Sequence, residues 1–387
     1  MAAETPDSGG SDPRSVGGPV GRLRNLLEGP NTLGNTRGFW VGFVVAVAAL
    51  AAYPFAPTVI KSILVSTRTL SSFLAFGFLA LSLAVVWGYG GILSFGQSVF
   101  FGVAGYTFGV ILINVNSPLG GTVGVVVGVA GGALMALVLG YFIFYGGVRD
   151  VYATIITLVS TLVLKTFMDQ TAGAEWTIGE AALGGFNGMN VPQLRLGVGE
   201  TSVVISSYNT SFFYFALGLL VVTYLLLRVL VNSDYGRVMV AMREDEQRTR
   251  MFGYRTERVK LTVFVIGGAL AGLSGVLFTT WQFYITPAKF GLVAASLPVI
   301  WVGLGGRKTL IGPVIATIAL QYINNALGDI WAPVINGVLL VVIIMLLPTG
   351  VVPRARDLVV WAQRRAFDEP QSGPDPTESA DPEVSDS

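Results

Sequence analysis

The sequence predicts an all-α fold, a polytopic transmembrane helix bundle of about ten spans with both termini cytoplasmic. Three observations predict it. Of 387 residues, 52% are hydrophobic and only 12% are charged, about half the roughly 25% charge of a soluble domain. No ionisable side chain lies between Arg68 and Arg149, and Lys165 is the one charge between Asp150 and Asp169. A water-facing helix needs a polar face, so these stretches belong in a bilayer. Finally, the Lys and Arg residues are sharply divided between alternate loops.

A spanning helix takes about 20 apolar residues, and stretches of that kind recur, separated by Gly, Pro, Asn or basic clusters. The first runs from Phe39 to Pro57, the second from Leu70 to Trp87 and the third from Phe95 to Val115. Gly121 to Tyr145, Tyr152 to Met168, Ser211 to Val231 and Leu261 to Thr280 follow. The last three are Gly291 to Leu304, Leu310 to Leu327 and Pro333 to Leu347. The eighth and tenth are short, as tilted, broken or re-entrant segments are.

Orientation follows from the basic residues. With the N-terminus inside, eighteen of the 24 Lys and Arg lie in cytoplasmic loops or tails, seven of them in the single loop that ends at Lys260. Outside loops hold Lys61, Arg68, Arg195 and Lys289. This split places both termini in the cytoplasm and makes the number of spans even. The chain then divides into an N-terminal tail (1–38), a transmembrane domain (39–352) and a C-terminal tail (353–387) that is acidic at its end. The first tail is rich in Gly, Ser and Pro and has no apolar run ahead of a small-residue cleavage site. Seven Asp or Glu among the final twenty residues, with no aromatics, read as a solvated, disordered end.

The chain has no Cys and no His, which removes disulfides, thiolate metal sites and the commonest general base. No metal, cofactor or catalytic residue is expected, a membrane enzyme is disfavoured, and membrane lipid rather than nucleic acid is the expected surrounding.

Four segments are unusual. Trp87 to Tyr106 carries Gly at 88, 90, 91, 96, 102 and 105, each costing roughly 0.8 to 1 kcal/mol against Ala inside a helix. Either small residues pack helices closely there, or the helix is broken and lines a polar cavity. Ser94, Gln97 and Ser98 among these glycines favour the second reading and place part of the translocation path here. In the fifth span, Thr154, Thr157 and Thr161 recur at three and four residues and form a hydroxyl stripe, which either binds a small polar solute or cross-links helices. The long outer segment from Asp169 to Thr210 holds Glu175, Trp176, Glu180 and a Gly-rich run; it either receives an external partner or merely packs.

The cytoplasmic loop from Asn232 to Lys260 is the fourth. Ser233 or Asp234 can cap a helix starting near Tyr235, and Gly253 can end it. Val238 and Met242 share an apolar face, while Arg243, Glu244, Asp245, Glu246, Arg248 and Arg250 mix both signs. Such a helix is either a solvated loop or a docking element for a motor subunit, and mixed charge suits a protein groove better than an anionic lipid surface.

At these residues the chain resembles the inner-membrane permeases of branched-chain amino acid and urea-type ABC importers. The resemblance rests on GYGGILSFGQSVFFGVAGYT (88–107), GRVMVAMREDEQRTRMFGY (236–254), KLTVFVIGGALAGLSGVLF (260–278) and WVGLGGRKTLIGPVIAT (301–317). It covers about Leu70 to Val352. Gly306 to Leu310 and Arg248, Arg250, Phe252, Gly253 and Tyr254 look more like the urea branch. The resemblance implies a homologous second permease subunit, two cytoplasmic ABC ATPases and an extracytoplasmic solute-binding protein. No G-x-x-x-x-G-K-[ST] phosphate loop occurs, so ATP is expected on another chain. The expected function is therefore a permease subunit for a small polar solute, urea or a short amide. A branched-chain amino acid is the alternative, and a secondary transporter or channel for a neutral solute is the rival from another class.

Overall fold

The computed structural model describes residues 26–29, 31, 37–173, 175–198, 201–328, 331–346, 350–351 and 354. The expected tails, 1–38 and 353–387, lie almost wholly outside these residues. The chain begins with α1 (Arg37–Ala52) and the short α2 (Thr58–Ile63), then α3 (Thr67–Leu83), α4 (Gln97–Asn114), α5 (Pro118–Tyr145), α6 (Asp150–Asp169) and α7 (Thr210–Asn232). Two short helices, α8 (Asp234–Glu244) and α9 (Glu246–Met251), precede α10 (Thr256–Gln282), α11 (Leu292–Gly305), α12 (Ile311–Leu327) and α13 (Ala332–Leu346).

Each apolar stretch picked out by the sequence is helical, but seven helices are long and apolar enough to cross a membrane. The helices α11, α12 and α13 have 14, 17 and 15 residues, below the roughly 20 of a straight crossing. Among the described residues, length and composition thus support seven crossings where the sequence suggests about ten. Pro298 inside α11 also removes a backbone donor there.

The fold is not helical throughout. The segment between α6 and α7 forms β1 (Thr177–Ile178), β2 (Ala181–Ala182), β3 (Met189–Asn190), β4 (Leu194–Val198) and β5 (Thr201–Ile205), and β6 (Tyr284–Ile285) follows α10. The pairs β1–β2, β4–β5 and β3–β6 are antiparallel. The all-α expectation fails here because a segment outside the apolar helices must still satisfy its backbone groups, and short hairpins do so.

At the centre stands α10, packed against α5, α4 and α3. The cause is a ladder of small residues. In α5 the buried positions Gly124, Gly128, Gly132, Ala136 and Gly140 recur every four residues, which keeps them on one face. A Cβ added at Gly132 would lie 3.0 Å from Gly272 Cα and 3.1 Å from the Gly268 carbonyl oxygen. Backbones that close exchange van der Waals contact that larger residues would prevent. Buried hydroxyls tie α3 to the same helix: Ser82 donates to the Gly267 carbonyl and Ser274 to that of Ala75, each at 2.7 Å.

Loops gather at two ends of the bundle. One, the basic end, brings together Gly88, Arg243, Lys260 and Lys308. At the other, the far end, Arg68 meets Ser207 and Trp281, and Asn114 meets Ile178.

Candidate functional site

The sequence predicts one helix from Tyr235 to Gly253; the structure has two. Ser233 caps α8 by accepting from the Gly236 N–H at 3.3 Å. Asp245 then adopts extended backbone and its side chain accepts from the Arg248 N–H at 2.9 Å, so it starts α9. An Asp that caps a new helix competes with continuation of the old one, which explains the break. Gly253, with φ +86°, follows α9, the left-handed stop that a glycine supplies. Gly236, Met239 and Met242 are buried, while Val238 is half-buried.

Several charges of α8 and α9 pair with groups of the bundle while remaining partly exposed. Arg243 donates to the Gly88 carbonyl at 2.5 Å and to Glu244 at 2.6 Å. Glu244 also faces Lys308 at 3.5 Å. Glu246 accepts from Lys260 at 2.8 Å and lies 3.5 Å from Arg250. Arg250 reaches back to Glu257 at 2.8 Å and Thr256 at 3.1 Å. Arg248 stays exposed beside Asp245. The partners Gly88, Lys260 and Lys308 are not visible in the sequence pattern, because they come from the turn after α3, from α10 and from the turn before α12.

Two apolar side chains escape burial instead: Met251 is 87% exposed and Phe252 76%. Their signal was present in the sequence as an apolar pair closing a charged run. Beside α9 opens a cleft of about 910 Å³, walled by Phe144, Tyr145, Arg149, Glu246, Arg250 and Lys260. No group of three or more His, Cys, Asp or Glu that could hold a metal gathers among the described residues.

Arg243, through its hydrogen bond and charge, holds the Glu244 carboxyl below the usual carboxylate range, with Lys308 adding to it. Burial pushes the Glu246 carboxyl up, but Lys260, Thr256 and Arg250 outweigh it and hold it low as well. A carboxyl lowered in the folded state contributes stability above its unfolded value, near about 4.3 for Glu, and loses it as pH falls through the folded value. We therefore expect thermal stability to fall on acidification below that value, and the fall to be smaller in Glu246→Gln. Melting curves across pH 3 to 7, values chosen to bracket the carboxylate range, check this.

A second cluster sits where α3 gives way to α4. The helix ends in a π-turn, Ala84–Tyr89, and residues 90–96 leave the helix before Gln97 starts the next. Close packing of small residues and a broken helix both occur here. Gly88 and Gly91 pack against Arg307 and Arg243, where a side chain would collide, and the backbone between them is broken. Its freed groups are met by the hydroxyl stripe: Thr154 donates to the Leu93 carbonyl at 2.9 Å, and Thr157 accepts from the Phe95 N–H at 3.2 Å. Ser94 accepts from Gly96 at 3.0 Å and Ser98 donates to Phe95 at 3.3 Å. Thr161, one turn on, donates to its own helix at 2.7 Å. Gln97 differs from these: both amide atoms are buried without a hydrogen-bond partner.

Removing an acceptor from a buried N–H costs about 1–3 kcal/mol. Thr157→Val is accordingly expected to lower the melting temperature of the purified chain, whereas Thr161→Val leaves it nearly unchanged. Differential scanning fluorimetry in detergent compares the two.

Several known proteins are similar to this chain. LivM of Escherichia coli (strain K12), the permease protein of a high-affinity branched-chain amino acid transport system, is 28% identical over 338 residues, covering 81% of this chain and 75% of its own. A probable branched-chain amino acid transport permease protein, LivM of Methanocaldococcus jannaschii, is 28% identical over 44% of this chain and 53% of its own length. LivH of Escherichia coli (strain K12) is 31% identical over 32% of this chain and 41% of its own. No solved structure matches. These names leave the urea branch without support. The chain is a multi-pass membrane protein, and over residues 65–348 it matches, and belongs to, the family described as the branched-chain amino acid transport system permease component.

Proposed function

We propose that the chain is one of two paired permease subunits of an ATP-driven importer, that its basic end faces the cytoplasm, and that its solute is a branched aliphatic amino acid. The observation that carries the coupling is the Arg243 hydrogen bond to the Gly88 carbonyl at 2.5 Å. It joins α8 directly to the bend between α3 and α4, so a push on α8 reaches the interior backbone. Met251 and Phe252 form the apolar knob that enters a groove of a cytoplasmic ATPase, with Asp245 and Arg248 at its rim. ATP-driven closure then biases two arrangements of the bundle. At the far end, exposed Phe186 and Tyr208 offer a surface to a solute-binding protein. Gln97 is the polar group of the path, its amide held buried and free to meet a passing solute.

The seven Lys and Arg of the loop that ends at Lys260 support this orientation. The relatives' branched-chain names support the solute. Reconstitution of the full chain with a second permease, candidate ATPases and the binding protein in proteoliposomes tests the reading. ATP-dependent uptake of leucine is expected, and uptake of urea in its place would restore the urea branch. Uptake that persists without ATP would replace the importer with a channel or secondary transporter.

A further inference from the structure

An apolar groove of about 330 Å³ opens between the far halves of α4 and α6, walled by Val103, Tyr106, Val110, Leu164, Met168 and Phe290. That volume is within the roughly 300–1,000 Å³ of small-ligand sites. Its polar groups are few. The Tyr106 hydroxyl is buried with no hydrogen-bond partner, although Tyr106 is only 5% exposed; its ring stacks on Phe290 at 6.0 Å. Asp169 pairs with Lys165 at 2.6 Å, the two side chains 26% and 35% exposed. Lys165 is brought to the groove through Gly291, where an added Cβ would lie 3.6 Å from its Cδ, next to the groove wall at Phe290.

The order of this pair is unusual for a purely structural bridge. Asp169 is the last residue of α6, where the helix dipole disfavours a negative charge, and Lys165 precedes it by four, the weaker of the two i,i+4 arrangements. The pair flanks Leu164 and Met168 of the groove wall on the same helix.

We propose that this groove is a subsite for a free aliphatic α-amino acid, taking its carboxylate on Lys165 and Tyr106, its ammonium on Asp169 and its branched side chain among Val103, Val110, Leu164 and Met168. The proposal rests on the amino-acid reading above. A zwitterion inserted into the pair replaces one ion pair by two charge-assisted ones, so neither half-buried charge is left bare. A neutral solute such as urea brings no charge to replace either half of the pair. The groove therefore selects a zwitterion with an apolar side chain.

Saturation-transfer NMR with leucine on the full chain in nanodiscs tests the subsite directly. Leucine methyl signals are expected with the natural chain and weaken roughly tenfold or more in Lys165→Met and Asp169→Asn. Tyr106→Phe, which removes one oxygen and keeps the packing, weakens them less and guards against a misfolded variant. Isocaproate and isopentylamine, each carrying half the zwitterion, are expected to compete poorly, and urea not at all. Equal leucine signals in the natural chain and all three variants, or competition by isocaproate as strong as by leucine, overturns the proposal. In proteoliposomes of the complete transporter, leucine uptake that the three variants leave unchanged overturns the subsite alone. Absence of leucine uptake by the natural chain overturns the amino-acid reading and the subsite with it.

Discussion

Replacing Gly132 with leucine is expected to abolish accumulation of the folded chain in the membrane. The position faces three backbone atoms, Gly272 Cα and the carbonyl oxygens of Phe100 and Gly268, at 3.0 to 3.1 Å from an added Cβ. Flexible side chains can give way to a new methyl, but backbone cannot. Overpacking a well-filled core costs about 1–3 kcal/mol or more, and here the added atoms would separate α5 from α10, the contact on which the bundle is built. Gly132→Ala is expected to lower the yield and the melting temperature, and Gly132→Leu to remove the monodisperse peak in size-exclusion chromatography after detergent extraction. Gly218 on α7, with nothing within 4 Å of its added Cβ, serves as the control, and Gly218→Leu is expected to behave as the natural chain. A monodisperse Gly132→Leu protein would disprove the close α5–α10 approach.

The second large effect concerns α8 and α9. Replacing Glu244, Asp245 and Glu246 together with alanine is expected to cut ATP-coupled uptake at least tenfold while membrane insertion survives. Three different losses act together. Without Asp245 the N-cap of α9 is gone, a change that costs about 0.5–2 kcal/mol. Without Glu246, Lys260, only 12% exposed, keeps a charge with its 2.8 Å partner removed. Without Glu244, Arg243 and Lys308 no longer share a carboxylate. These pairs are partly exposed, so screening by water reduces what each contributes to stability, and the folded bundle persists. What fails is the fixed position of Arg243 against Gly88. Single replacements separate the terms: Glu246→Gln retains a hydrogen-bonding group and is expected to keep most of the uptake, while Arg243→Ala alone matches the triple variant. Uptake by the triple variant equal to that of the natural chain would refute the coupling role of α8 and α9.

Much of the fold was legible because its dominant solvent, the bilayer, leaves a coarse mark on composition. Ten apolar stretches were placed within a few residues of the helices that form. The number of membrane-length helices among the described residues is smaller than the ten stretches: the eighth and tenth, short already in the sequence, form α11 and α13 of 14 and 15 residues, and the ninth forms α12 of 17. The strands between α6 and α7 were missed because two-residue pairs leave no periodic signal. At the site, the charged run from Arg243 to Arg250 was recognised, but its division at Asp245 was not, because a capping Asp looks like any other acid in a mixed-charge helix.

The sequence by itself determined that this chain lives in a membrane, that a charged segment between α7 and α10 differs from every other loop, and that it belongs with the branched-chain amino acid and urea-type permeases, although its motifs pointed to the urea branch, which the relatives leave without support. These follow from local composition and motif order, which need no partner to be read. Only the tertiary structure decided that Thr154 and Thr157 bond the backbone of the Gly90–Gly96 bend, that Gln97 is the unpartnered group beside it, and that Arg243 is joined to Gly88, 155 residues away. It also decided that Lys165 and Asp169 border an apolar groove. Hydrogen bonds and close backbone contacts depend on which helix faces which, and that choice is made by packing of the whole bundle.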